Sequence, residues 1–150
     1  LAPRPAAAPP EETPMPNPTD PSRMLRTAVR ANAAFSAASG VVLLVADGLV
    51  GVLLGALDDL GSIRFVGASL LVFAALLVAL SRREVLPQPA VVAVIAADAL
   101  WVLGSWIAIG TAMVTGQGAW AVGIVADVVL LFALWQWVGL RRIQRAPAPA

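Results

Sequence analysis

The feature that most constrains the fold of this chain is an almost uncharged stretch of 56 residues, 85–140. Asp98 and Asp127 are its only charged members. Because a membrane-crossing helix needs about 20 predominantly apolar residues, the stretch has room for two crossings and the turn between them. A soluble domain has no need of such a run, so the chain is predicted to be an integral membrane protein.

Two shorter apolar segments upstream complete the set of predicted spans. The four predicted transmembrane helices cover, in chain order, about residues 27–46, 65–81, 90–114 and 119–140. Residues 115–118 supply the turn between the last two, and Pro87 and Pro89 suit the entry to the third. The expected fold is an all-α membrane protein, an antiparallel bundle of four transmembrane helices with proline-rich extended tails.

The apolar segment 49–57, between the first two spans, is interrupted by Gly51 and Gly55. It either extends the first helix or forms a short piece along the membrane surface. We favour the surface position, because it places Asp47 at a helix N-cap near water.

Both ends of the chain are rich in proline. Residues 1–22 contain eight of the twelve prolines, and such a segment is expected to be extended unless a partner orders it. It does not resemble a signal peptide, because the apolar run begins only after Arg30. The predicted organisation is an arm at 1–22, a transmembrane domain at 23–145 and a short tail at 146–150.

Most of the arginines lie at the predicted helix ends on one side of the membrane, whereas Arg64 lies at the opposite side. The arginines on the first side are Arg23, Arg26, Arg30, Arg82, Arg83, Arg141, Arg142 and Arg145. All ten basic residues are arginine, a composition typical of a GC-rich bacterial genome. The positive-inside rule places both termini in the cytoplasm, and the expected location is the bacterial inner membrane. Because the arginines have this topological role, their positive charge does not indicate that the protein binds nucleic acid.

Tryptophan and arginine at the span ends are typical of interfacial anchors that hold helices in the bilayer. The predicted anchors are Trp120, Trp135, Trp137, Arg82, Arg83, Arg141 and Arg142.

The chain contains neither cysteine nor histidine. Thiolate and imidazole ligation of metals, haem or iron–sulfur clusters is therefore excluded, and no cofactor or metal is expected. Enzyme activity is not expected either, although a pair of carboxyl groups remains as a possible catalytic arrangement.

Asp98 and Asp127 are the sharpest candidates for function, because an acidic residue at the centre of a membrane helix costs about 2.5–3.5 kcal/mol on insertion scales. Each lies about eight residues into its predicted helix, so their depths are expected to differ by about 6 Å, close enough to share a proton or a partner. In the alternative, which we favour, each carboxyl bonds a neighbouring helix through a backbone carbonyl, Ser39, Ser105 or an indole.

Asp98, Trp101 and Ser105 recur at helical spacing and give the third predicted helix a polar face lined with small residues. A ligand cleft is one interpretation of this face. We favour close helix packing, since the contacts between membrane helices are enriched in small residues.

Three segments carry a family resemblance: residues 32–36 (NAAFS), 97–105 (ADALWVLGS) and the ending at 135–142. Together they resemble a group of small, uncharacterised bacterial four-helix membrane proteins, and the overall plan is similar to that of DoxX-like membrane proteins. The resemblance covers about residues 23–145 and implies the fold, but it brings no established catalytic residues.

For function, the expectation is a non-catalytic accessory or assembly subunit that binds the lipid bilayer and partner subunits of a larger bacterial membrane complex. The alternative is a small proton-coupled transporter that uses Asp98 and Asp127.

Overall fold

The computed structural model describes residues 21–145, and this part of the chain is helical apart from short connections. The helices are α1 (Pro21–Val45), α2 (Asp47–Leu54), α3 (Leu60–Ser81), α4 (Gln88–Gly110) and α5 (Gly116–Arg145), with a 3-10 turn at Leu57–Asp59. Four helical stretches are long and apolar enough to cross a membrane: Ser22–Val45, Leu57–Ser81, Gln88–Gly110 and Gly116–Arg145. The predicted all-α bundle of four membrane helices is confirmed.

The observed helix boundaries differ from the predicted ones by up to six residues, and the turn between the last two helices is displaced. The first helix already includes Pro21 and Ser22, which were assigned to the extended arm, because proline is tolerated in the first helical turn. The rest of the predicted arm and the tail at 146–150 lie outside the described residues. The last helix begins at Gly116, inside the predicted turn, and the connection lies at 111–115, where Ala112 adopts a left-handed φ of 57°.

The segment after α1 forms a separate helix, α2, but Asp47 is not its N-cap. Ala46 takes that position without a side-chain cap bond, and Asp47 is the first helical residue. The Asp47 carboxylate instead accepts hydrogen bonds from the guanidinium of Arg64 and from the backbone N–H of Gly48. The bond from Arg64 is the largest cause that holds the pKa of Asp47 below its usual value, so the carboxylate ties α2 to α3 instead of capping its own helix.

The helices are arranged in the order α3, α1, α5, α4, with neighbours antiparallel. The first helix packs against both α3 and α5, whereas α4 packs along α5. The α1 and α3 backbones approach closely where Gly40 faces Gly67, and a Cβ added to Gly40 would lie 2.8 Å from the Gly67 carbonyl oxygen. Because α3 and α4 do not pack along one another, a cleft separates them on one side of the bundle.

Two apolar clusters lie toward the end of the bundle that carries Arg82, Arg83, Arg141 and Arg142, called here the Arg-rich end, and the second of them joins α3 to α4. One cluster joins α1, α4 and α5 through Leu25, Val91 and Leu140. The other consists of Val29, Ala33 and Leu77, with Phe73 of α3 and Val94 of α4 packed against it. Away from the Arg-rich end, beyond Phe73 and Val94, the cleft widens.

Candidate functional site

The interior of the bundle contains a buried carboxyl group, that of Asp98, which is only 3% exposed. Its Oδ2 atom accepts a hydrogen bond of 2.7 Å from Nδ2 of Asn32 and a longer one of 3.4 Å from Nε2 of Gln136. These three residues lie on α1, α4 and α5, so one carboxylate oxygen connects three helices. Such bonds are needed because hydrocarbon offers a buried polar group no water.

Ser36 extends this set of polar residues by one helical turn. Its hydroxyl donates to Oδ1 of Asn32 at 3.3 Å, and both side chains are buried. We call Asn32, Ser36, Asp98 and Gln136 the polar cluster.

Two acceptor oxygens of the polar cluster accept no hydrogen bond from the described residues. Oε1 of Gln136 is buried and, within residues 21–145, has no hydrogen-bond partner. Both amide groups donate to Oδ2 of Asp98, so its other oxygen, Oδ1, accepts no bond from the described residues. Asp98 contributes to the wall of an adjoining space, although only 3% of its surface is exposed.

That space is a cavity of about 300 Å³ between α3 and α4. Asp98, Asn32 and Ser36 form part of its wall at the Arg-rich end. The remaining lining residues are mainly apolar or aromatic: Phe35, Ser39, Phe65, Val66, Ser69, Leu70, Phe73, Ala97, Trp101, Val125 and Val129. Phe65 and Ser69 of α3 and Trp101 of α4 are exposed at the rim, so the cavity opens sideways through the cleft.

The predicted polar face of the third span is only partly realised. Trp101 follows Asp98 by one helical turn and lines the cavity with it. Ser105 is buried, but it is not part of the cavity wall, and its hydroxyl donates to the backbone carbonyl of Trp101 at 2.9 Å. Asp98 and Trp101 are therefore the residues of this face that line the cavity, whereas the Ser105 hydroxyl is bonded within α4.

Asp98 and Asp127 do not meet. Asp127 is exposed on the outer face of α5, and its carboxyl group has no hydrogen bond or ion pair with residues 21–145. It precedes Gln136, the α5 partner of Asp98, by nine residues, which corresponds to about 13 Å along the helix axis. Asp98, which is bonded to Gln136, is therefore farther from Asp127 than the expected depth difference of about 6 Å.

The predicted anchors all lie on the outer surface of the bundle. Trp120, Trp135, Trp137, Arg82, Arg83, Arg141 and Arg142 are exposed. The guanidinium carbon of Arg141 lies 4.4 Å from the ring centre of Trp137, a cation–π contact, and Nη1 of Arg142 lies 3.7 Å from Sδ of Met24.

Sequence reasoning missed two members of the site, Asn32 and Gln136. Both are amides within otherwise apolar membrane helices, and that unusual placement is the signal that could have identified them. Their partnership with Asp98 was not visible, because Asn32 and Gln136 are 66 and 38 residues from it in the chain.

Comparisons with protein-family models, with curated proteins and with solved structures gave no match. The site must therefore be interpreted from its own chemistry. Within residues 21–145, no group of three or more His, Cys, Asp or Glu side chains is placed to hold a metal ion.

Proposed function

We propose that the protein is a small membrane carrier that binds its ligand in the cavity between α3 and α4 and couples ligand binding to a proton on Asp98. The observation that carries the proposal is the buried carboxyl group of Asp98 in the wall of a cavity of about 300 Å³, with an Oδ1 that accepts no bond from the described residues. Ionisable groups inside membrane proteins commonly mark proton or substrate pathways.

The shape of the cleft supports a carrier more than an open channel. Phe73 and Val94 pack on the apolar cluster between the cavity and the Arg-rich end, so the cavity is closed on that side. Its lateral opening past Phe65 and Trp101 gives access from the bilayer. Transport then requires α3 and α4 to separate at Phe73 and Val94 while the lateral opening past Phe65 and Trp101 closes.

The location that fits this proposal is a bacterial cytoplasmic membrane, with the Arg-rich end and both termini in the cytoplasm. A reporter fused after Ala150 or inserted near Pro87 should then signal cytoplasm, and one inserted at Gly61 should signal the opposite side. A cytoplasmic signal at Gly61 would contradict the orientation.

Transport is tested with purified protein in vesicles and three small probes of different charge: benzyltrimethylammonium, benzyl alcohol and phenylacetate. We expect the protein to move at least one probe and to move protons with it, and we expect Asp98→Asn to abolish the coupling. Asp127→Asn is the matched control, because it removes an intramembrane carboxyl group outside the cavity. If no probe produces a flux that depends on Asp98, the carrier proposal is wrong.

One observation favours a second function, that of an accessory or assembly subunit of a larger membrane complex. The carboxyl group of Asp127 lies on the outer face of α5 between the exposed apolar side chains of Ile124 and Leu131. Leaving it against lipid costs about 2.5–3.5 kcal/mol near the bilayer centre, so a helix that offers a hydrogen-bond donor would be stabilised there.

The second function predicts that Asp127 is needed for assembly. Proteins that copurify with the unmodified chain in mild detergent should be lost in Asp127→Asn and retained in Asp98→Asn. Equal copurification with both variants would exclude this role for Asp127, and loss of a second copy of the chain alone would identify the partner as the protein itself.

A further inference from the structure

The chemistry of the cavity wall restricts the charge of what can bind there. The cavity wall includes Asp98, whose Oδ1 accepts no bond from the described residues, and no Arg or Lys side chain contributes to the described lining. One N–H of each amide, in Asn32 and in Gln136, is bonded to Oδ2 of Asp98. An anionic ligand would find no positive charge here, whereas a cation or a hydrogen-bond donor would complete the site.

The aromatic lining indicates which of these two is favoured. Phe35, Phe65, Phe73 and Trp101 all contribute to the cavity wall, and Trp101 lies one helical turn from Asp98. Phe35 is itself held by Phe132, with ring centroids 5.6 Å apart. Aromatic rings attract cations through their negative faces, most strongly where water is excluded, and their combination with a carboxylate is typical of sites for organic ammonium groups.

We propose that the cavity takes a small hydrophobic organic cation, an ammonium group on a compact apolar body, with the Asp98 carboxylate as its counterion. This inference rests on the proposed carrier function and names its substrate class. The apolar walls at Val125, Val129 and Leu70 accommodate the body of the ligand, and the lateral opening admits it from the membrane, where amphiphilic cations concentrate.

Cation binding and proton release are then one exchange at a single carboxyl group. The protonated acid loses its proton to solvent, and the resulting carboxylate pairs with the incoming cation, so that one positive charge replaces another. The groups that face Asp98 are the amides of Asn32 and Gln136, neither of which titrates. Arg30 of α1 lies in a different groove, against α3, and Asp127 is on the outer face of α5.

The test measures binding separately from transport, with the purified full chain in detergent. Benzyltrimethylammonium is titrated calorimetrically at several pH values in buffers of different ionisation enthalpy, which gives both the affinity and the number of protons released. We expect about one proton per cation at low pH and an affinity that rises with pH until the acid is fully ionised. We also expect Asp98→Asn to weaken binding at least tenfold and Asp98→Glu to retain proton release.

Two controls separate the possible failures. Asp127→Asn should bind as the unmodified chain does, and Trp101→Leu should weaken cation binding while leaving the affinity for benzyl alcohol nearly unchanged. If benzyl alcohol or phenylacetate binds and is transported but the cation does not bind, the carrier function stands and the substrate class is wrong. Cation binding unaffected by Asp98→Asn, or accompanied by no proton release at any pH, would overturn the assignment of Asp98 as counterion.

Discussion

The guanidinium of Arg26 donates a hydrogen bond to the backbone carbonyl of Ser81 and so joins the start of α1 to the end of α3. The same group also donates to the carbonyls of Arg83 at 2.6 Å and Glu84 at 2.9 Å. The last carbonyls of a helix have no partner within the helix and carry a partial negative charge, so a planar cation with several donors suits them well. Arg26 is thus a structural element as well as one of the topological charges.

Replacing Arg26 is therefore expected to destabilise the bundle. We expect Arg26→Ala to cost about 1.5–3 kcal/mol in the free energy of unfolding, the usual range for hydrogen bonds to a charged group. Arg26→Lys should recover only part of this loss, because an ammonium lacks the fork that spans several carbonyls. Tryptophan fluorescence during unfolding in mixed detergent gives the measurement, and Arg23→Ala, a change at an exposed arginine, should have little effect.

The two amide partners of Asp98 are expected to differ in their contribution. Asn32→Leu removes the 2.7 Å bond to Asp98 and the acceptor that Ser36 uses. Polar contacts inside membrane proteins contribute about 0.6 kcal/mol on average and at most about 1.7 kcal/mol, and we expect Asn32 near the upper value. Gln136→Leu removes only a 3.4 Å bond together with an unpartnered acceptor, so it should be close to neutral. A larger loss of unfolding free energy for Gln136→Leu than for Asn32→Leu would contradict this order.

The close approach of α1 and α3 makes a third prediction. In Gly40→Ala the new methyl group would meet backbone, the Gly67 carbonyl oxygen at 2.8 Å, so the helices must move apart. We expect a loss of about 1–3 kcal/mol, the usual cost of overpacking a fixed interior. Gly104→Ala is the matched control, because nothing lies within 4 Å of its added Cβ. Equal unfolding free energies for the two variants would show that the crossing tolerates a wider spacing.

Hydropathy alone predicts the four spans, because a long apolar run has few alternatives to a membrane helix. It does not predict the start of α5, where Gly116 and Gly118 read as turn residues. Only Gly116 takes a left-handed φ, of 58°. Gly118 lies inside the helix for a different reason: a Cβ there would come within 2.8 Å of the Leu53 carbonyl oxygen of α2, a contact between distant parts of the chain.

The sequence predicts only part of the candidate site, because it does not show which helix faces meet inside the bundle. Asp98 and Asp127 look equivalent in the sequence, since each is a single acid in an apolar helix. Which of them faces the interior depends on the rotation of α4 and α5 about their axes, and that rotation is set by the packing of α4 on α5 and of α5 on α1. The amides of Asn32 and Gln136 mark the interior faces of their helices, but only the assembled bundle shows that both point at Asp98.

Acid should weaken the tie between α2 and α3. The pKa of Asp47 is held below its ordinary value of 3.8, chiefly by the hydrogen bond from Arg64, so the carboxyl group is more acidic in the folded chain than in the unfolded one. Its contribution to stability is then fully present above 3.8 and is lost as the pH falls through the lowered value. Asp47→Asn should be less stable than the unmodified chain near pH 7, and the difference should vanish in strong acid. Asp58→Asn is the control, because it removes an exposed carboxyl group of the 3-10 turn and leaves the bond between Asp47 and Arg64 in place.

The final prediction concerns the movement of α3 relative to α4. Because the chain has no cysteine, Phe73→Cys and Val94→Cys can be combined and joined with a short membrane-permeant bis-maleimide. Both residues pack on the cluster that closes the cavity toward the Arg-rich end, so the linkage should hold that side closed. We expect the cross-linked carrier to bind benzyltrimethylammonium as the double variant does before cross-linking, but not to transport it. The control pair Met24→Cys and Arg142→Cys joins α1 to α5, which the proposed movement does not separate, and should leave transport intact after cross-linking. If the variant cross-linked between positions 73 and 94 transports the ligand at an undiminished rate, the ligand leaves by a route that does not require α3 to separate from α4.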